Sequence, residues 1–294
     1  MKEKIYNIVI KILVTLFGRR FVYAIRYYRL RKRWPNFDQP QDLSEYLINK
    51  ITTNQTHSYA PLADKIEVRQ YVASKGLSSI LLPHYGYWSN AHDINFDTLP
   101  PKFVLKTNNG VDSQNVYICR DKSTFDIPSV CKKLNKALKE KSVYEYHYNL
   151  IEPKILCEQL LETQQGTQPT DYKFLCINGK VVDIIATMDR FEHKRSIIMT
   201  PDWQYVDRMY HQYIPDTLPP RPNQLQQMIN IAQTLSADFD VVRVDLYNPG
   251  NKIYFGELTF TPSAGLLDAR TTQAITHYAT LLKKNNVFKI ICPS

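Results

Sequence analysis

Hydrophobic positions recur along the chain with two different periods, which together predict a mixed fold. Apolar residues spaced three and four apart predict helices, whereas short alternating or continuously apolar runs predict strands. The predicted helices span 61–76, 128–139, 222–235 and 266–284, and the predicted strands span 103–106, 116–119, 155–161, 172–177, 181–186, 241–247 and 252–260. Tight turns such as Asn178–Gly179 join neighbouring strands more often than helical crossovers do. The pattern therefore predicts an α+β protein with antiparallel sheets.

The first 34 residues differ in pattern from the rest of the chain. Residues 5–17 are apolar except for Asn7, Lys11 and Thr15, and residues 21–34 interleave tyrosine and tryptophan with lysine and arginine. As a helix the apolar run rises about 20 Å, too little for a hydrocarbon core of about 30 Å. The pattern is typical of an amphipathic helix on an anionic membrane surface. Packing on the protein's own body and binding of nucleic acid are the alternatives.

The net positive charge of the protein comes from this segment. The formal net charge is +9, and residues 1–34 hold ten Lys and Arg against one Glu, so the remaining chain is neutral. A neutral body offers no basic groove for a phosphate backbone, which argues against nucleic acid as a partner. Basic residues follow the apolar run as well as precede it, and no small-residue cleavage site appears, so the segment does not resemble a signal peptide.

Glycine and cysteine usage excludes several kinds of site. The chain has nine glycines and contains neither G-x-G-x-x-G nor G-x-x-x-x-G-K-[ST], which excludes Rossmann and P-loop nucleotide sites. The five cysteines are widely spaced and form no C-x-x-C pair, which argues against zinc and redox sites. An odd number of separate cysteines predicts a reducing compartment, the cytoplasm.

Two polar pairs on the last predicted hairpin form the first candidate site. Along 241–247 the valines and Leu246 point to one face, which leaves Arg243 and Asp245 together on the other. Glu257 and Thr259 share a face of the next strand, so two carboxylates and a hydroxyl can converge on Mg²⁺. An odd loop or a bulge is needed, since it places Glu257 opposite Arg243 and off the apolar face. The alternative is a hairpin with salt-bridged exposed residues.

A second candidate site lies where the strand at 103–106 ends. Lys106 is followed by Thr107, Asn108, Asn109 and Gly110, a sequence typical of a turn. A lysine there can reach nucleotide phosphates while the turn closes over them. A solvated strand end is the alternative.

Taken in order, several stretches resemble one family. They are LSEYLINKI at 43–51, DKIEVRQY at 64–71, LPPKFVLKTNNG at 99–110, ILCEQLL at 155–161, DYKFLCINGK at 171–180 and VVRVDLYNPGNKIYFGELTFTPSAG at 241–265. The chain thus resembles an ATP-grasp protein of the teichuronopeptide-biosynthesis (TupA-like) type over about residues 40–270. The resemblance implies an ATP-grasp fold, in which two α+β subdomains clasp ATP. We expect these subdomains at 61–154 and 155–294, after a basic amphipathic helical segment and linker at 1–60.

The resemblance also implies roles for individual residues. Eight residues would bind ATP: Lys106 and Lys173 at the phosphates, Asn108 and Gly110 in the turn that covers them, Glu158, Gln159 and Leu160 at the adenine, and Glu162 at the ribose. The magnesium ligands would be Asp245, Glu257 and Thr259. Arg243 would stabilise the transferring phosphoryl group, and Arg190 would face the acceptor. Many ATP-grasp ligases carry Asn where this chain has Thr259, and the shorter hydroxyl is a departure from that pattern.

The implied reaction is ATP-dependent amide formation through an acyl phosphate. The family's association with cell-envelope polysaccharides suggests a carboxylate-bearing glycan, such as a uronic acid polymer, joined to an amine or amino acid. We expect a cytoplasmic enzyme that is peripheral to the inner face of the cell membrane. Three alternatives stay open: a sugar kinase that uses the same ATP site, a protein labelled a glycosyltransferase, and a non-catalytic membrane scaffold. The chain has no Asp-x-Asp pair suited to the metal of a nucleotide-sugar site, which argues against a glycosyltransferase.

Overall fold

The computed structural model describes residues 2–110, 115–188 and 195–283. The helices are α1 (Lys2–Arg31), α2 (Leu43–Thr52), α3 (Ala60–Ala63), α4 (Val68–Ser74), α5 (Ile127–Ala137), α6 (Leu225–Ser236) and α7 (Thr272–Lys283). The strands are β1 (His84–Trp88), β2 (Phe103–Thr107), β3 (Val116–Cys119), β4 (Ile155–Glu158), β5 (Asp171–Ile177), β6 (Lys180–Met188), β7 (Arg195–Met199), β8 (Val241–Tyr247) and β9 (Tyr254–Thr259).

The strands form two antiparallel sheets, as the hairpin pattern predicts. The first sheet has the order β1-β4-β2-β3 and the second has the order β7-β6-β5-β8-β9. Every pairing in the second sheet is also antiparallel. The expected boundary before residue 155 stays a prediction, and strand β4, which begins there, pairs with strands of the first sheet.

Each face of the second sheet is covered by helices because its strands carry apolar residues on both sides. Phe174 and Val244 point to the face that packs against α6. Leu175 and Val241 point to the other face, where α2 and α7 cover one end of the strands. All of β5 is buried, and its last four residues, Phe174 to Ile177, are apolar on both faces of the sheet. The uncovered end of the second face carries the polar residues of β8 and β9.

Helix α1 is bent at Gly18, whose φ of 78° and ψ of 160° lie outside the helical region. After this bend the helix packs on the protein body. Tyr23 and Tyr27 are fully buried there, and the Tyr27 hydroxyl donates to Asp42 at 2.5 Å. Arg33 forms ion pairs of 2.7 and 2.6 Å with Asp42 and Glu45. Packing on the body, one of the alternatives for the first 34 residues, therefore describes the second half of α1.

Several elements differ from the predicted ones. The helix expected over 61–76 is two short helices, α3 and α4, and the expected strand 155–161 ends at Glu158. Strands β1 and β7 and helix α2 are additional elements. The last helix begins at Thr272 rather than near Leu266, because the intervening chain turns through left-handed residues: Ser263, Ala264, Gly265 and Leu267 all have positive φ. Only glycine adopts that conformation readily, so this turn is held by its surroundings.

The turn at 261–270 is fixed by contacts from α1 and α2. The Arg31 guanidinium donates to the carbonyls of Leu267 and Arg270 at 2.9 Å each and to that of Leu266 at 3.3 Å. The Ser44 hydroxyl donates to the same Leu266 carbonyl at 2.8 Å. These contacts satisfy backbone groups that a helix would otherwise pair internally.

Gly265, the glycine of this turn, is expected to be sensitive to substitution. Its φ is +82°, and an added Cβ would lie 3.0 Å from Ile51 Cδ1 and 3.3 Å from Ile48 Cγ1. Gly265→Ala should therefore lower the free energy of unfolding by about 3 kcal/mol, from left-handed strain plus crowding. Gly250→Ala is the control, since its φ is +71° but nothing lies within 4 Å of its Cβ position. It should cost about 1 kcal/mol in urea unfolding. Equal losses would show that crowding plays no part.

His147 is expected to make stability depend on pH. It is fully buried, and neither ring nitrogen has a hydrogen-bond partner among the described residues. Burial, with a smaller effect from His57, lowers the pKa of His147 to about 4. An unfolded chain binds this proton near pH 6.5, so the free energy of unfolding falls as pH drops from 6.5 to 4, by about 3 kcal/mol. His147→Phe should remove most of this slope in urea unfolding at several pH values. The exposed control His92→Phe should keep it, and an unchanged slope in His147→Phe would contradict the prediction.

Candidate functional site

The hairpin of β8 and β9 places four polar side chains on one face. Arg243 pairs with Thr259 and Asp245 pairs with Glu257 across the two strands. A register shift follows Asp245, and the extra residue is Gly256, where an added Cβ would lie 3.0 Å from the Asp245 carbonyl oxygen. The bulge that the metal-site hypothesis requires is therefore present. The expected cross-strand partner is wrong, because Glu257 lies opposite Asp245 rather than Arg243.

Arg243 joins these side chains into one network. Its guanidinium donates to the two oxygens of Asp245 at 2.6 and 2.7 Å. It also reaches the Thr259 hydroxyl at 2.9 Å and Glu257 at 3.1 Å. Burial lowers the pKa of Arg243, but the charge and hydrogen bonds of Asp245, with the charges of Glu257 and Asp171, together hold the pKa above its usual value. The guanidinium is thus a fixed positive charge beside two carboxylates.

Lys173 on β5 adds a second buried cation to this face. Its ammonium lies 2.5 Å from Asp245 and 2.6 Å from Asp171. Asp245 is only 2% exposed, and burial raises the pKa of its carboxyl, against the opposing charges of Arg243 and Lys173. A carboxylate held in such surroundings gains further from a cation, so the site favours added positive charge.

The donor set suits magnesium. Asp245 and Glu257 offer carboxylate oxygens and Thr259 offers a hydroxyl, which are the hard ligands that Mg²⁺ takes together with water and phosphate oxygens. No group of three or more His, Cys, Asp or Glu side chains is arranged for a metal ion within the described ranges. A metal here would therefore need ligands from outside the protein, as Mg²⁺ bound with a nucleotide has.

The first sheet contributes Lys106 from β2 and Glu158 from β4, which form an ion pair. Arg69 lies 3.8 Å from the other oxygen of Glu158. Lys106 and Glu158 side chains are largely buried, at 17% and 8% exposure. The lysine expected at a strand end therefore lies within the sheet and is not a solvated surface residue.

Lys65 is a site residue that the sequence interpretation missed. Its ammonium donates to the Gly110 carbonyl at 2.7 Å. Burial lowers the pKa of Lys65, while the charge of Glu257 raises it and that of Lys106 lowers it further. Lys65 thus lies within electrostatic reach of charged residues of both sheets, so the two candidate sites adjoin around it, in a region that we call the cleft. The only sequence signal was its place in the stretch DKIEVRQY.

The turn after Lys106 is held in place by the side-chain amide of Asn108. Asn108 donates to Asp64 at 2.9 Å and to the Glu152 carbonyl at 3.0 Å, and it accepts from the Lys154 backbone at 2.7 Å. Its side chain therefore anchors the turn and does not project into the cleft. Gly110 permits the tight approach, because an added Cβ would lie 2.8 Å from Thr107 Oγ1.

The remaining expected ATP residues follow β4. The backbone N–H of Gln159 donates to the Pro83 carbonyl at 3.0 Å, and Leu160 comes next as the chain leaves the first sheet. Glu162 lies between two cations, 2.8 Å from Lys102 and 2.5 Å from Arg120. Arg190, expected at the acceptor, lies outside the described residues.

Comparisons with known proteins agree on one fold. The TupA-like ATPgrasp family model matches residues 44–275. The D-alanine–D-alanine ligase of Bacillus anthracis superposes with a TM-score of 0.51 at 14% identity, covering 78% of this chain and 69% of the ligase. Its ATP complex gives 0.49 at 16% identity, covering 78% and 68%. An L-amino acid ligase of Bacillus licheniformis gives 0.44 at 14% identity, covering 69% and 44%. No curated protein sequence matches the chain significantly.

Proposed function

The chain belongs to the TupA-like ATP-grasp family and has the ATP-grasp fold, and on this basis we propose that it is an ATP-dependent carboxylate–amine ligase. The observation that carries the proposal is the set of charged groups that the two sheets bring near Lys65. Arg243, Lys173 and two carboxylates belong to the second sheet and Lys106 to the first, and the charges of Glu257 and Lys106 both act on Lys65. This is the composition that phosphoryl transfer needs, namely fixed cations and oxygen ligands without a protein nucleophile.

Each part of the cleft has a distinct task in this proposal. Lys106 and Lys173 bind the phosphates of ATP, and Asp245, Glu257 and Thr259 hold Mg²⁺. When bound, the metal neutralises charge on the phosphate oxygens. Its ligands are already grouped by the Arg243 network, in which Thr259 both accepts from Arg243 and donates to Glu257 at 3.1 Å. This double role supports a threonine at a position where many relatives carry asparagine.

The proposed reaction has two steps. A substrate carboxylate oxygen attacks the γ-phosphorus of ATP, the bond to the β-phosphate oxygen breaks, and ADP leaves with both electrons. An amine then attacks the acyl carbon, inorganic phosphate leaves, and the amine loses one proton to give an amide. Arg243 stabilises the charge on the phosphoryl group as it moves, and the closed cleft keeps water from the acyl phosphate.

The finer proposal concerns the substrate and the place of action. Association of the family with cell-envelope polysaccharides supports a carboxylate-bearing glycan as one substrate and an amino acid or other amine as the second. We place the reaction on the cytoplasmic side of the membrane, where ATP is available. The four cysteines of the described chain are buried free thiols, which fits a reducing compartment.

The test is ATP turnover with Mg²⁺, a panel of uronic acid glycans, and hydroxylamine in place of the amine. Hydroxylamine converts an acyl phosphate to a hydroxamate, so we expect ADP, phosphate and hydroxamate in equal amounts with the correct acid. Lys106→Ala should form all three far more slowly at the same ATP concentration. ADP with a phosphorylated sugar and no hydroxamate would instead identify a kinase. Failure to bind ATP at all would leave the non-catalytic scaffold.

A further inference from the structure

The bend at Gly18 divides α1 into two halves with different surroundings. The second half packs on the body, as described above, whereas the first half presents large apolar side chains to solvent. Val9, Ile12, Leu16 and Phe17 are 45%, 53%, 67% and 57% exposed. Soluble proteins rarely leave such a continuous apolar surface uncovered unless it contacts a partner or a membrane.

Three of the exposed side chains form one stripe. Val9, Ile12 and Leu16 are three and four residues apart and therefore lie on one side of the helix. Ile10, which points to another side, is only 6% exposed. The polar residues Lys11 and Thr15 lie away from the stripe. The first half of α1 thus has a side facing the body, a polar side and an apolar side that no described residue covers.

The basic residues of the segment are also divided by the structure. The arginines that contact the rest of the chain through hydrogen bonds, ion pairs or aromatic rings are Arg19, Arg20, Arg26, Arg31 and Arg33. Lys11, Arg29 and Lys32 remain exposed. The chain beyond residue 34 carries no net charge, so the excess positive charge lies in this segment, with Lys11 on the same half of α1 as the stripe.

Two exposed aromatic side chains stack on each other near the other end of α1. Tyr28 and Trp34 stack at 4.8 Å and are 41% and 61% exposed. Tyrosine and tryptophan favour the boundary between lipid headgroups and acyl chains. No described helix is both long enough and apolar enough to cross a bilayer.

We propose that the stripe Val9–Ile12–Leu16, with Phe17, lies on a bilayer that contains anionic lipid. The apolar side chains enter the headgroup boundary, and Lys11, Arg29 and Lys32 interact with lipid phosphates. A lipid surface matches both properties of this segment, since it takes up an apolar stripe and its negative charge complements the exposed cations. This inference does not depend on the proposed ligase activity.

The experiment is co-sedimentation of the full chain with vesicles of phosphatidylcholine alone or mixed equally with phosphatidylglycerol. We expect binding to the mixed vesicles, weakened by salt, and little binding to phosphatidylcholine alone. The variant Ile12→Glu/Leu16→Glu should bind at least about tenfold more weakly, because it loses two apolar contacts and gains two negative charges. The matched control is Leu150→Glu/Leu218→Glu, whose leucines are 56% and 59% exposed elsewhere on the body. It should bind like the unaltered protein.

Three results would overturn the proposal. One is failure of the unaltered chain to sediment with anionic vesicles. Another is equal binding by both double variants. The third is a dimer that Ile12→Glu/Leu16→Glu converts to a monomer in light scattering, which would make a second copy the occupant. ATP turnover and the thermal unfolding midpoint should be the same in all three proteins, because these positions lie outside the cleft and the core.

Discussion

Replacing Glu257 with glutamine is expected to lower the rate of ATP turnover at saturating substrate by about 10²–10³-fold. The amide keeps the size of the side chain but removes one charged ligand of the proposed metal. Arg243 would still be held by Asp245 through two hydrogen bonds, so the network would keep its geometry. The Glu257 side chain is 33% exposed, and we expect a change below about 1 kcal/mol in stability. Measuring ADP release against Mg²⁺ concentration should show a higher Mg²⁺ requirement as well.

Glu140→Gln is the control for this variant. Glu140 lies on the surface after α5 in an exposed ion pair of 3.6 Å with Lys136. It should turn over ATP at the unaltered rate. A Glu257→Gln protein with normal turnover and a normal Mg²⁺ requirement would remove Glu257 from the proposed metal site, and would reduce the site to a salt-bridged hairpin.

Replacing Lys106 with alanine is expected to raise the KM for ATP and lower kcat/KM by about 100-fold or more. Two effects add. The phosphates lose a fixed cation, and Glu158 loses its ion-pair partner while Arg69 stays 3.8 Å away. The uncompensated carboxylate would then repel the nucleotide. Titration with a fluorescent ATP analogue measures the binding part of this loss separately from chemistry.

Lys75→Ala controls for loss of a lysine ion pair in general. Lys75 lies 2.6 Å from Asp238, which is 52% exposed, and the pair is remote from both sheets' polar residues. Nucleotide affinity should not change in this variant. Lys106→Arg should recover part of the affinity, because it restores the charge without the shape. Equal affinity of Lys106→Ala and the unaltered chain would contradict a phosphate-binding role.

Strong local patterns made the hairpins and longer helices predictable. Helices α5 and α6 were found because Leu134, Met228 and Leu235 belong to apolar stripes with a clear helical period. Strand β7 was missed because Ser196 to Met199 are all buried, so the strand shows no alternation. Strand β1 was missed because its aromatic residues surround Gly86 at an irregular, half-exposed edge.

The parts of the candidate site that follow from alternating polar and apolar residues along a strand were predictable. The parts that depend on how strands pair and pack in the folded chain were not. Period two along β8 and β9 was enough to group Arg243 with Asp245 and Glu257 with Thr259. The cross-strand partner was wrong because Tyr247 pairs with Tyr254 across a loop longer than expected and Gly256 then adds one residue to β9. Hydrophobicity records neither the loop length nor the bulge. Lys65 was missed because its role comes from tertiary proximity to Gly110, 45 residues away.

The N-terminal segment was also predicted in part, by its composition but not by its contacts. Its composition indicated a basic and apolar helix, but composition cannot say which side of a helix is covered. The bend at Gly18 and the contacts of Arg31 and Arg33 assign the second half to the body. The uncovered apolar stripe lies in the first half, which narrows the predicted apolar contact from 34 residues to about half that length, and the second half keeps separate exposed groups such as Arg29 and Lys32.

The order of strands in the second sheet also bears on how the protein folds. Strands β5, β6 and β7 pair with neighbours in sequence, as do β8 and β9, whereas β5 and β8 must close a long loop before they pair. Lys173 and Asp245, 72 residues apart, meet only across that last pairing. A partly folded chain in which only the hairpins have formed would keep Lys173 and Asp245 apart on two separate hairpins. Nucleotide binding through these residues therefore requires the complete second sheet, and bound ATP should stabilise the fully assembled chain.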